Sequence, residues 1–118
     1  MTSFFIETYG DSYNFADSEQ MAGLLQQAKF NAVESIEKAD IIIFNTGLAE
    51  DSVESAFFTR LQEIKLEFPY KIIIITGGIP QRDPGKLKNH SLLGTRQIHK
   101  IVEIVEEALH NNIVQMLE

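Results

Sequence analysis

The chain of 118 residues contains no cysteine. That excludes disulfides, a thiolate nucleophile and any cysteine-ligated metal. It has no long apolar run, so nothing in it reads as a membrane span. Its first residues lack the pattern of an export signal, which makes the cytoplasm the expected setting. Positive charge is also scarce: 10 Lys and Arg stand against 17 Asp and Glu, a net charge of −7. Nucleic-acid binding draws most of its affinity from cations set against phosphates. An acidic chain is therefore a poor lone binder of nucleic acid. Lys86, Lys88, Arg96 and Lys100 come nearest to a basic cluster and read as solvated surface. No Ser-His-Asp arrangement is visible. His90, His99 and His110 are scattered without the spacing of zinc ligands and read as surface residues.

What is present is organised around Lys71-Ile-Ile-Ile-Ile-Thr-Gly-Gly78. Four consecutive isoleucines leave no polar face, so this strand must be covered on both sides, as in a parallel sheet between helices. Asp40-Ile-Ile-Ile-Phe-Asn-Thr46 has the same character and is the expected neighbour. Ser3-Phe-Phe-Ile-Glu-Thr-Tyr9 is a third strand, followed by a turn at Gly10-Asp11-Ser12-Tyr13. Asn14 is the expected cap of a first helix with Met21, Leu24, Leu25 and Ala28 on its apolar face and Asp17 and Glu19 near its positive end. A short edge strand is expected within residues 29–34. Gly47-Leu-Ala-Glu reads as a loop, and Asp51 or Ser52 as the cap of a second helix carrying Val53, Ala56, Phe57, Leu61 and Ile64. Pro69 marks where that helix has stopped. Residues 79–90, broken by Pro80, Pro84 and Gly85, read as irregular, with at most one turn at 86–89. Ser91-Leu-Leu-Gly94 is a short last strand. Thr95 caps a final helix with Ile98, Ile101, Val102, Val105 and Leu109 inward. Ile113-Val-Gln-Met-Leu117 resumes a strand pattern that either extends the sheet edge or leads elsewhere.

Alternating strands and helices indicate an α/β fold with right-handed crossovers. The expected architecture is a three-layer, flavodoxin-like parallel sheet of about five strands, order 2-1-3-4-5, with helices on both faces, and residues 1–118 forming one domain. Such sheets open a crevice outside the carboxyl ends of strands 1 and 3. Asp11, Gly47 and Gly78 follow strands 1, 3 and 4, so all three are expected to line it. Gly47 and Gly78 read as turn residues with positive φ that let a ligand approach the backbone. Helix N-termini there would favour an anion such as phosphate or sulfate. Asp11 reads as a turn or capping residue that has the option of binding a cation. Glu7 and Asp40 are candidates for an acid–base pair, or else cap strand ends.

Several stretches together resemble a known family. Glu7-Thr-Tyr-Gly10 with Asn14-Phe-Ala-Asp-Ser-Glu19 resembles the opening of the radical-SAM methylthiotransferases that modify tRNA. Asn45-Thr46 is similar to that family's second motif, and Thr76-Gly77 with Ile79-Pro80-Gln81 to its third. Leu93-Gly-Thr-Arg-Gln-Ile-His-Lys-Ile-Val102 is similar to the segment closing the N-terminal domain. Pro80-Gln81 and the run from Ile98 to Glu107 lean towards the archaeal and eukaryotic branch, which acts on threonylcarbamoyladenosine in tRNA.

The resemblance implies one cysteine after each of the first three motifs, together holding a [4Fe–4S] cluster. Here those positions are Asp11, Gly47 and Gly78. It also implies a catalytic radical-SAM domain with its own cluster and S-adenosylmethionine, whose three-cysteine motif is absent from this chain. A cluster needs thiolates, with histidine as an occasional substitute. The expectation is therefore an isolated, cluster-less N-terminal domain: a scaffold or interaction module, not catalytic alone, with no cofactor of its own. Its expected partner is a radical-SAM catalytic domain, with tRNA met only indirectly and no membrane. The alternative is a flavodoxin-like small-ligand or FMN-binding protein using the same crevice.

Overall fold

A computed structural model describes residues 1–47 and 51–118. The loop expected over 48–50 and the cap expected from the side chain of Asp51 or Ser52 lie outside what is described. The strands are β1 (Ser3–Thr8), β2 (Asn31–Ala32), β3 (Ile41–Thr46), β4 (Ile72–Gly77), β5 (Ser91–Leu93) and β6 (Gln115–Met116). The helices are α1 (Ser12–Gln27), α2 (Asp51–Glu67), α3 (Gly78–Arg82) and α4 (Ile101–Leu109), joined by short 3₁₀ turns. The strands form one sheet in the order β2-β1-β3-β4-β5-β6, and every pairing is parallel. The expected order holds for the first five, and the tail adds a sixth strand at the edge.

The isoleucine runs explain the layering. Successive strand residues point to opposite faces. Ile41, Ile43 and Ile74 turn to one face and meet Met21 and Leu25 of α1 and Ile101, Ile104, Val105 and Ala108 of α4. Ile42, Phe44 and Ile75 turn to the other and meet Phe57, Leu61 and Ile64 of α2 and Ile79 of α3. Phe57 packs edge-on against Phe44, with ring centroids 5.5 Å apart. All of β3 is buried. Each fully buried apolar side chain of this size contributes about 1.5–3 kcal/mol relative to exposure, so the two runs dominate the core.

Several local expectations are corrected. Asp11, not Asn14, is the cap of α1. Its Oδ1 accepts the Tyr13 N–H at 3.0 Å, while Asn14 Oδ1 accepts the Asp11 N–H at 3.1 Å. This reciprocal pair starts the helix earlier, which leaves Asp17 beyond the first turn. Residues 78–82 form a short helix despite Pro80, because a proline in the first turn removes a donor that has no partner there anyway. The expected turn at 86–89 falls earlier, at Pro84–Leu87. Thr95 does not cap the final helix. Gly94 holds the cap position, residues Thr95–Lys100 are 3₁₀, and α4 begins only at Ile101. Glu118 does the capping from the tail: its Oε1 accepts the Arg96 N–H at 2.7 Å and the Thr95 hydroxyl at 3.0 Å. Ala28 and Ala56 are exposed, and Val53 and Leu109 are more exposed than buried-face residues should be.

Candidate functional site

The carboxyl ends of β1, β3 and β4 are tied together by buried polar side chains. Asn45 is the centre. Its Nδ2 donates to the Asn14 carbonyl at 2.8 Å and to Ser18 Oγ at 2.9 Å, and its Oδ1 accepts the Thr76 hydroxyl at 3.1 Å. Ser18 Oγ also bonds Thr8 Oγ1 at 2.7 Å. Thr46 Oγ1 donates to the Thr76 carbonyl at 2.8 Å and accepts the Ile79 N–H at 3.1 Å. Asn45, Thr46 and Thr76 are all buried, and buried polar groups persist only when satisfied. One network therefore sets the start of α1, the end of β3 and the start of α3.

Above it lies a hollow of about 600 Å³, lined by Gly10, Asp11, Tyr13, Asn14, Asp17, Gly47, Gly78, Gln81, Arg82 and Thr95. Asp11, Gly47 and Gly78, the three residues singled out from the sequence, all lie in its wall. Gly10 and Gly47 are in near contact: a Cβ on Gly47 would stand 3.3 Å from the Gly10 Cα and 2.8 Å from Asn14 Oδ1. Positive φ is not found at Gly47 or at Gly78, which opens α3. It belongs to Gly10 (φ 121) and Gly77 (φ 99). Gly77 is the stricter of the two, because a Cβ there would lie 1.8 Å from the Thr46 carbonyl oxygen.

The charges in this hollow do not suit the anion expected from the sequence. The N-terminus of α1 is already closed by the Asp11 carboxylate. Asp17 adds a second carboxylate, whose pKa is raised by burial. Arg82 is committed elsewhere, to Glu54 at 2.5 Å and Asp83 at 3.2 Å. A phosphate or sulfate here would face two carboxylates and no spare cation among the described residues. The FMN alternative depends on such a phosphate position and draws no support from this arrangement.

The donor chemistry does not fit an iron–sulfur cluster either. Of the three positions that the resemblance assigns to cysteines, Asp11 alone has a side-chain donor, and that group caps α1. The direction in which Gly47 would project a side chain is filled by Asn14. Among the described residues no three His, Cys, Asp or Glu side chains are grouped to hold a metal ion.

The other candidates separate. Glu7 lies towards the end of β1, accepts the Tyr9 hydroxyl at 2.5 Å and pairs with Arg60 at 3.4 Å. Asp40 lies at the opposite end of the sheet, where it accepts the Ser3 N–H at 2.9 Å. That backbone bond outweighs the opposing effect of burial and holds its carboxyl below the ordinary range. The two are not an acid–base pair; Asp40 caps a strand. Lys86 pairs with Glu54 at 3.6 Å, and Arg96 with Glu118 at 3.2 Å, so the basic residues of this region do not act as one cluster. His99 and His110 are exposed, but His90 is half-buried, against its surface reading. Sequence reasoning also missed Tyr13, Asp17, Gln81, Arg82 and Thr95 as wall residues. The period of α1 offered a signal for the first two: once the helix starts at Ser12, residues 13, 14 and 17 share a face.

Comparison with known proteins bears on this crevice. Residues 3–94 match the family described as uncharacterized protein family UPF0004. The chain belongs to this family. A Staphylococcus haemolyticus protein named tRNA-2-methylthio-N(6)-dimethylallyladenosine synthase is 35% identical over 116 residues, covering 90% of this chain and 23% of the relative. A Xenopus laevis threonylcarbamoyladenosine tRNA methylthiotransferase is 32% identical over 114 residues, covering 95% and 20%. A probable threonylcarbamoyladenosine tRNA methylthiotransferase of Methanothermobacter thermautotrophicus is 32% identical over 117 residues, covering 96% and 27%. Kinship with tRNA methylthiotransferases, expected from the motifs, therefore stands. Relatives named for two different tRNA nucleosides match about equally well. The chain spans only about a fifth to a quarter of the length of these relatives. Among the described residues, no helix is long and apolar enough to cross a membrane.

Proposed function

We propose that this chain works as the cluster-less N-terminal domain of a tRNA methylthiotransferase-like protein, in a cytoplasmic setting, as a scaffold and interaction module without catalysis of its own. The observation that carries this reading is the crevice. Three loops meet over a satisfied polar network, as a cofactor platform requires, yet the positions that matching motifs would give to thiolates hold one aspartate and two glycines. The platform is kept and its donors are gone. Its natural occupant is then a surface of a catalytic radical-SAM domain, the partner implied by relatives four to five times as long, and tRNA is met through that partner. The threonylcarbamoyladenosine branch is favoured by Pro80-Gln81 and by the run from Ile98 to Glu107.

Anaerobic incubation with iron and sulfide tests the donor argument. The expected result is no stoichiometric four-iron cluster and no visible charge-transfer band. A bound cluster overturns the reading. Mixing the chain with a separately produced radical-SAM domain of a relative tests the scaffold role. A complex weakened by Asp11→Lys supports it, and the absence of any complex at high micromolar concentration counts against it.

A further inference from the structure

The outer edge of β1 is paired along only part of its length. β2 pairs with Ser3 and Phe4, while β3 pairs with Phe4 through Thr8 on the other side. The hydrogen bonds fix which residues face which neighbour. The Thr2 and Phe4 carbonyls accept the Asn31 and Val33 N–H groups at 2.9 and 3.0 Å. The Ser3 carbonyl accepts the Asp40 N–H at 3.0 Å, and the Tyr9 N–H donates to the Asn45 carbonyl at 2.8 Å. Even-numbered residues of β1 therefore address the β2 side and odd-numbered ones address β3. The N–H and C=O groups of Ile6 and Thr8 point to the side that β2 has already left. After Val33 the chain turns into the 3₁₀ turn Ile36–Lys38, whose Ile36 joins the core on the α2 face. Among the described residues no other backbone group bonds these two donors and two acceptors. Proteins often close such an edge with proline or lysine. Neither occurs in residues 3–9 or 31–35.

Beside the open edge lies a hollow of about 260 Å³. Its walls include Ile6 and Ala22, which pack on the α1 face of the sheet, and Phe5 and Val33, which pack on the α2 face, so the hollow wraps the edge. Phe15, 54% exposed, completes the wall from α1. Glu19 is the one charged residue there, and no basic residue joins it.

We infer that this edge is a docking site for an extended, basic peptide segment of a partner protein, which adds a strand beside Ile6 and Thr8 where β2 stops. The occupant follows from the chemistry. A row of N–H and C=O groups at strand spacing is matched by another extended backbone, and pockets beside it take alternate side chains of the added strand. Glu19, in a chain of net charge −7, favours lysine or arginine on that strand over carboxylates. The open stretch of three residues spans about 10 Å, so the added strand is short. The site shares no wall residue with the crevice, and the inference does not rest on the reading given to that crevice.

Amide exchange followed by NMR tests it. In the chain alone at low concentration, the Ile6 and Thr8 amides should exchange faster than those of Phe5 and Glu7. Three synthetic probes are then added: a peptide of alternating lysine and valine, its glutamate–valine counterpart, and the lysine–valine peptide N-methylated throughout. The lysine–valine peptide should slow Ile6 and Thr8 saturably, by about tenfold when present at ten times its Kd. The N-methylated peptide should leave them unchanged, and the glutamate peptide should bind more weakly. Glu19→Lys, at an exposed residue, should weaken the lysine–valine peptide by about fivefold. Ile6 and Thr8 amides already as slow as Phe5 and Glu7 in the dilute chain overturn the inference. So does the absence of a saturable response to the lysine–valine peptide, an equal response to either control, or binding that Glu19→Lys leaves unchanged. Protection that grows with protein concentration in the absence of peptide assigns the edge to a second copy of this chain and overturns the partner as well.

Discussion

At the carboxyl ends of the strands, side chains of Asn45, Thr46, Thr76 and Ser18 satisfy one another below a hollow that carries carboxylates. At the amino ends, a hollow near β4 is lined by Lys65, His90 and the apolar Phe68, Pro69 and Ile73, and its walls are mostly helix and turn. Each end holds one ionisable group that burial biases towards neutrality: Asp17 above, His90 below. At the upper end the buried polar side chains are partnered by one another. At the lower end the Lys71 ammonium is held by the Glu37 and Ala39 carbonyls. The contrast teaches that the polar side chains beneath a crevice can serve the sheet itself, because the bonds that shape the hollow also hold the strands.

The contrast can be broken most severely at Gly77. Gly77→Ala combines a positive φ with a Cβ 1.8 Å from a backbone oxygen, so a loss of about 3 kcal/mol or more is expected. Urea unfolding measures it, and a loss below 1 kcal/mol would contradict the packing described. Next comes Asn45→Ala, which leaves the buried Thr76 hydroxyl without its acceptor and removes the bonds to Ser18 and to the Asn14 carbonyl; about 2–3 kcal/mol is expected. Asp11→Ala removes only an exposed cap, and about 1 kcal/mol should be lost, read from the same unfolding curves. Lys65→Gln, at an exposed residue of the lower end, should change stability by less than about 0.5 kcal/mol in the same measurement.

The subtlest expected effect is on pH dependence. His90 has a folded-state pKa below its unfolded value, so the unfolded chain binds the proton more readily. Its contribution is present above the ordinary histidine range and is lost as pH falls through the lower, folded value. Asp17 works in the opposite sense: its raised pKa favours the fold below the ordinary aspartate range, and that advantage fades as pH rises through the raised value. Thermal unfolding between pH 7 and 5 should therefore show a decline that His90→Asn removes and Asp17→Asn does not.

Much of the fold was legible because both central strands are buried on two faces, and only unbroken apolar runs satisfy that. The meeting of residues 11, 47 and 78 was legible for a topological reason, since loops after adjacent parallel strands emerge on one side. What stayed hidden depends on atoms far apart in sequence. Glu118 caps a turn 22 residues earlier only because β6 brings it back. Positive φ moved from Gly78 to Gly77 because the closest approach is to Thr46, on a neighbouring strand. His90 gave no sign of burial, since neither its spacing nor its neighbours mark the wall it joins.

The paired isoleucines of β3 and β4 stand opposite one another at Ile41 and Ile72, Ile42 and Ile73, and Ile43 and Ile74. With the same side chain on both faces, a slip by one position would cost the oily part of the core little. Alignment must come from elsewhere, and the Asn45–Thr76 bond, with Gly77 seated beside Thr46, offers a single fit. The polar rim thus acts as a ruler for the strands beneath it, which gives the chain a reason to keep those residues even where no ligand calls for them.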